Sequence, residues 1–529
     1  MARDTFGLMR SRGGMWFAVV FSMSALAFQI SEARRYFEQA RQLFEQHRWD
    51  EAQSAAVKAL AADPQMGNAE ILMGLIASAR SQFDQAEKHF ARAVSLEPRN
   101  YQAHAYMGST YLQEKRLSEA AAAFRKVLEL NPGNVTANYN LGLIALAQDL
   151  PSDALHRFEW VTRANHSDVP ALIGTLASQL MLRNAEGAQQ TTQRLEALLD
   201  DRDPRLFQVA TLLAQHGGSA AAIPLLERVR RAFPESYDAG YNLALACLQT
   251  GQYNRAGAVL QTLTGSQGKA EAFDLLGTVE EKRAQPDNAE RAFAEAARRE
   301  ASNEDYRFNY GNSLVQHGKP DLAVGVFRAA VSDLPKSWKL RIGLGTASYL
   351  LGDYGTAAAE LLEAVRLKPD SATAYFLMGE AYDSAEHLQP AIETAIKNYL
   401  NTAPRDPWAY YHYAAILFGR AQTVGNGDYR AAVANLNEAL RLNANFAEAQ
   451  LELGLIALAQ DKVEQGIAAL EKAISLDPRL AAAHYRLGLA YQRAGNTAAA
   501  KKEIDRFRSL KGDTHYSERV LESLGSVGR

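Results

Sequence analysis

The chain has 529 residues, 47% of them apolar and 22% charged, a balance that excludes a disordered polymer. Lysine plus arginine (57) nearly equals aspartate plus glutamate (60), so there is no broad basic footprint and nucleic acid is excluded as an expected partner. The only cysteine, Cys247, permits neither an internal disulfide nor a cysteine metal site, and within the apolar run NLALACLQT it reads as a small buried hydrophobe.

The first 28 residues, MARDTFGLMRSRGGMWFAVVFSMSALAF, place Arg3, Arg10 and Arg12 ahead of an apolar run from Met15 to Phe28 that contains Ala25-Leu26-Ala27. A positive leader, a short apolar core and a small-residue site describe a secretory signal peptide over residues 1–27. The alternative is an uncleaved inner-membrane anchor over residues 15–28, but as a helix that run spans only about 21 Å against a hydrocarbon core of about 30 Å. The expected localisation is therefore exported, periplasmic or secreted, with a membrane as partner only through this segment if it stays uncleaved.

Residues Ala33 to Thr514 divide into fourteen units of about 34 residues, and the nonapeptide LGLIALAQD recurs unchanged at Leu141–Asp149 and Leu453–Asp461. In the second unit, GNAEILMGLIASARSQFDQAEKHFARAVSLEPRN, two apolar-periodic stretches flank a polar turn, the pattern of two helices joined by a turn. Position 8 is Gly in nine units (Gly74, Gly108, Gly142, Gly277, Gly311, Gly345, Gly379, Gly454, Gly488). Position 20 is Ala in thirteen, position 24 is usually large (Phe90, Phe124, Phe158, Phe293, Phe327), and position 32 is Pro in seven. Glycine inside a helix costs about 1 kcal/mol relative to alanine, so its recurrence predicts close helix approach beside the large residue at position 24. Pro151, Pro286 and Pro320 fall at position 17, where a second helix begins and a missing N–H is harmless.

Small residues at 8 and 20 with Pro at 32 over 34 residues resemble the tetratricopeptide repeat family, and the leader makes the chain similar to its exported, bacterial-type members. The resemblance implies an all-α fold, a right-handed α-solenoid (superhelix) of about fourteen helix–turn–helix units over 33–514. It also implies a non-catalytic scaffold whose partners are proteins or peptides held in the concave groove lined by the first helices. Carried onto this chain, the family's inward positions give an apolar stripe of Tyr139, Leu143, Leu146, Ile173, Leu180, Phe207, Tyr241, Leu245 and Leu248. The inward face of units 8 to 11 is more acidic, with Asp274, Glu281, Asn312, Tyr349, Glu380 and Asp383. Asn140, Asn242 and Asn309 share position 6, where an amide offering donor and acceptor together suits an extended peptide backbone.

Unit 12 departs from the pattern, with an insertion containing VGNGDY (Val424–Tyr429) after the aromatic run PWAYYHY (Pro407–Tyr413). Residues 515–529 are long enough for one helix and are expected to cap the open face of unit 14. No H-E-x-x-H, G-x-S-x-G or phosphate-loop pattern occurs, and no cofactor, metal or catalytic residue is expected. Two other readings remain at this level. One is a cell-envelope or polysaccharide assembly or secretion factor, whose glycan version needs Trp408, Tyr410 and Tyr411 exposed for sugar stacking. The other is a solenoid that assembles with itself; the oligomeric state is not legible here.

Overall fold

The computed structural model describes residues 29–265, 268–402, 405–424, 429–510 and 515–527. The expected signal peptide lies outside the described residues, as do residues 425–428 of the unit-12 insertion. The fold is an all-α solenoid of paired helices, and it divides into two compact bodies that meet in sequence at Glu235 and Ser236. Among the described residues no helix is long and apolar enough to cross a membrane.

A typical first helix has 13 residues, as in Val135–Ala147 and Glu304–Gln316, and a typical second helix 14, as in Pro151–Ala164 and Pro320–Asp333. Side chains start many first helices: Asn134 accepts from the Ala137 N–H, Asp168 from Ala171 and Ser337 from Leu340, each satisfying an amide with no partner inside the helix. Pro151, Pro286 and Pro320 each begin a second helix, as their position in the repeat predicts.

Each first helix except those of repeats 11 and 12 ends in a left-handed residue at position 15. At Gly318 the turn is a Schellman motif, in which the Lys319 N–H reaches Leu314 O and the Gly318 N–H reaches Val315 O. Seven of these positions carry a side chain, among them the exposed Ala284 at φ 54°. A left-handed L-residue is strained by about 1–2 kcal/mol. Ala284→Gly is therefore expected to raise stability by about 1 kcal/mol, read as a higher denaturant midpoint with an unchanged slope.

The close approach anticipated at position 8 is present. A methyl group placed on Gly74 would stand 2.6 Å from the Phe90 ring, and one on Gly277 2.6 Å from the Phe293 ring. Where position 24 is aliphatic, Leu361, Leu470 and Ile504 fill the same space against Gly345, Gly454 and Gly488. Phe90, Phe124, Phe158 and Phe327 are fully buried. Cys247 is also fully buried and burial pushes its thiol pKa up, as expected of a core hydrophobe.

Three repeats deviate. In repeat 7 the second helix is shortened to Tyr253–Leu263, which absorbs the missing residue. In repeat 11 the first helix stops at Ala381 and passes through two 3-10 turns, Tyr382–Ser384 and Glu386–Leu388, before Gln389–Thr402. In repeat 12 the first helix runs on to 18 residues, Pro407–Val424, so part of the insertion is extra helix.

Candidate binding faces on the first helices

In the first body, Tyr139 is half-buried with its ring edge-on to Phe158, 5.8 Å between centroids, and Leu146 packs against the same apolar cluster. Ile173 is buried, Leu180 and Phe207 are half-buried, and Leu143 at 39% is the exposed member. In the second body, Tyr241 stacks on Tyr237 with centroids 6.0 Å apart, while Leu245 and Leu248 are half-buried. Much of the stripe thus serves packing between side chains of the fold. The asparagines are committed within the chain too: Asn140 Nδ2 donates to Thr136 O and Asn242 Nδ2 to Asp238 O, both at 2.9 Å, and Asn309 Nδ2 donates to Asp274 Oδ1 at 2.9 Å.

The acidic face of the second body is built into polar ladders between repeats. Glu281 accepts from Ser313 Oγ at 2.6 Å and pairs with His317 Nε2 at 3.0 Å, while His317 Nδ1 lies 3.1 Å from Glu290, which also holds Lys319 Nζ at 2.8 Å. Burial pushes the Asp274 pKa up, and the bond from Asn309 opposes the shift.

Residues 515–527 form a helix, His515–Val527, but it does not take the capping role expected on repeat 14. It lies along the first helices of repeats 9, 10 and 11, that is Glu304–Gln316, Trp338–Leu350 and Ala372–Ala381. Val520 and Leu524 are fully buried and Val527 nearly so, in one apolar cluster with core residues from Phe308 to Ile416. Polar contacts fix its register: Gln316 Nε2 donates to Leu521 O at 3.0 Å, and Thr373 Oγ1 lies 3.2 Å from Ser526 Oγ. At its start Arg519 pairs with Glu448 and, at 3.2 Å, with Asp477 Oδ2. Periodicity in the sequence marks a dry side on this helix but does not say which surface receives it.

Two acids of this body are raised by burial, and one of them, Glu380, lies within the field of Arg519. Burial pushes Glu380 up to about 7, with Arg519 opposing and Asp383 reinforcing the shift. Burial likewise pushes Glu452 up to about 7, against the pull of Arg486. His412 Nε2 is 3.6 Å from Glu380 Oε1, and burial pushes the imidazole pKa down, so it is neutral. This ring occupies the space that a large position-24 residue fills elsewhere; repeat 11 has Ala395 there, and a methyl on Gly379 would collide with the imidazole.

Trp408 is half-buried and boxed by Phe376 and Phe446, with centroids at 4.9 and 4.6 Å, and Tyr410 and Tyr411 are half-buried in the same apolar cluster. The aromatic run is core packing rather than the exposed platform that sugar stacking needs. Among the described residues no three His, Cys, Asp or Glu side chains come together as metal ligands.

Models described as tetratricopeptide repeat match residues 71–135, 275–339, 310–372 and 342–407, then 111–180 and 213–278, and 482–510; one described as TPR repeat matches 455–495. Together they cover roughly two thirds of the chain. No curated protein sequence matches significantly. Among solved structures, Pseudomonas aeruginosa pilF is 19% identical over 40% of this chain and 96% of its own, with a TM-score of 0.35. Yeast Tom70 is 14% identical over 87% of this chain and 95% of its own, at 0.34. YrrB, described as a TPR protein with an unusual peptide-binding site, is 18% identical over 33% of this chain and 91% of its own, at 0.30. These likenesses are likenesses of fold alone.

Proposed function

The chain belongs to the tetratricopeptide repeat family, and from that premise we propose that it is a non-catalytic scaffold that holds protein or peptide segments against its first helices. One observation carries this reading. The first helices of repeats 9 to 11 already accept a 13-residue amphipathic segment, His515–Val527, burying Val520 and Leu524 completely. A surface that seats a helix of this chain has the width and apolar character to seat one from another protein.

Crosslinking and mass spectrometry on tagged protein in cells is the test. Captured proteins whose crosslinks map to first helices are the expected result, and a crosslink set confined to the second helices would sink the reading. The asparagines are tested beside it. A variant with Asn140→Ala, Asn242→Ala and Asn309→Ala is expected to retain most partners, because these amides already donate within the chain; loss of all partners would instead make them the peptide-binding groups.

Export is the second half of the proposal, supported by the arginine-led apolar run ending in Ala25-Leu26-Ala27. N-terminal sequencing of the purified protein is expected to begin at Phe28, in an extracytoplasmic fraction. A chain starting at Met1 and sedimenting with membranes would favour the anchor.

A further inference from the structure

The helix His515–Val527 combines features that set it apart from the packing helices of the repeats. Four residues, 511–514, separate it from the last repeat helix, Thr497–Leu510. It is poorly built as a helix: Gly525 lies inside it, with Ser523 and Ser526 close by in sequence, and a methyl on Gly525 would meet nothing within 4 Å. It also underfills its seat. A cleft of about 1020 Å³ remains on one side, between Glu281, Asn309, Gln316 and its own Leu521 and Gly525. A second, of about 710 Å³, lies among Trp338, Lys368, Thr373 and Val527.

Charge adds selectivity. Glu448 and Asp477 converge on Arg519, with Glu380 also within its field, so an occupant without a cation here would leave acids buried beside one another. Resting on the scaffold reading above, we propose that His515–Val527 is a resident placeholder, displaced by a partner's amphipathic helix of matching chemistry. That partner helix carries an arginine followed by aliphatic residues one, five and eight positions later, as in Arg519, Val520, Leu524 and Val527. It gains over the resident helix by filling the clefts with side chains where this chain has Gly525 and serines. Because the resident helix is tethered, it competes at an effective concentration on the order of millimolar.

The test uses the full chain carrying Thr373→Cys and Ser526→Cys, whose parent oxygens are 3.2 Å apart; the native Cys247 is fully buried. The probe is a fluorescein-labelled peptide of residues 515–527 carrying Gly525→Ala. Oxidation locks the resident helix in place, and peptide affinity is expected to fall at least about tenfold relative to the reduced protein, since release is blocked. The same peptide with Arg519→Glu is expected not to bind. A Leu524→Asp variant of the full chain, in which the resident helix cannot seat, is expected to bind the peptide more tightly than the parent. Equal binding before and after oxidation, no binding to the reduced and Leu524→Asp proteins, or failure of the disulfide to form overturns the proposal. A disulfide-linked dimer on oxidation overturns it in favour of a second copy of this chain as the occupant. Cellular crosslinks that persist elsewhere on the first helices would leave the scaffold reading standing while this inference fell.

Discussion

Phe158→Ala lowers the stability of the first body by about 3–5 kcal/mol, the range for removing a fully buried aromatic ring. The ring has no exposure, and it lies against glycines of two consecutive repeats: methyl groups placed on Gly142 and Gly174 would stand 2.8 and 2.6 Å from it. One side chain therefore ties two repeats together, and its loss opens a cavity at their junction. The cavity makes a sharper check available. Gly174→Ala alone is expected to destabilise by about 1–3 kcal/mol, because a rigid ring cannot yield to the added methyl. In the Phe158→Ala background the same change is expected to stabilise, since the methyl enters vacant space and alanine is the better helix former by about 1 kcal/mol. Denaturant unfolding of the four proteins gives the cycle, and a Gly174→Ala effect of the same sign in both backgrounds would refute the wedge.

The second large effect is on pH. A carboxyl whose pKa is raised by folding binds its proton more tightly in the native state, so stability falls as pH rises between the unfolded and folded values. For Glu380 that window runs from the ordinary carboxyl value of 4.5 to about 7, a differential of about 3 kcal/mol at 1.36 kcal/mol per pH unit. Its neighbours are Asp383 on its own segment, His412 and Tyr411 from the first helix of repeat 12, and Arg519 from the helix 515–527. His412 stays neutral through the window, and Arg519 opposes the shift without cancelling it. Glu380→Gln is thus expected to stabilise the second body by about 2 kcal/mol at pH 8 and to be close to neutral at pH 5, where the native side chain is already protonated. Hydrogen exchange of peptides from residues 236–527 at both pH values reads this directly. A Gln variant that loses stability equally at pH 5 and pH 8 would show that Glu380 is ionised throughout.

The repeat pattern was highly legible, for a physical reason. A glycine that recurs every 34 residues inside helices is unfavourable unless something large lies against it, so the sequence alone pairs Gly74 with Phe90 and Gly277 with Phe293. The three prolines at position 17 were legible because a missing N–H is harmless in the first turn of a helix. What resisted reading was any contact set by a choice between surfaces. The 515–527 segment declares an apolar side through Val520, Leu524 and Val527, yet periodicity does not say which surface of the array receives it. The inward acids Glu380 and Asp383 were identified, whereas their neighbour Arg519 lies well over a hundred residues away. The stripe from Tyr139 to Leu248 has a second duty that position alone does not reveal: inward positions on first helices also pack against the fold, as the Tyr139–Phe158 and Tyr241–Tyr237 pairs do.

Repeat 12 shows where the array can be edited. Its first helix continues to Val424, and the next begins at Arg430, with Ala432 and Leu436 buried in the places alanine and the large residue hold elsewhere. Beyond it Gly454 again meets Leu470, and Gly488 meets Ile504, with no loss of phase. The extra residues of this repeat, most of them taken up as added helix, have left the downstream modules as they were. The bend between its two helices is therefore a grafting point, and a fluorophore, epitope or small folded cassette introduced between Val424 and Tyr429 should ride on the array without disturbing the packing of the repeats beyond it.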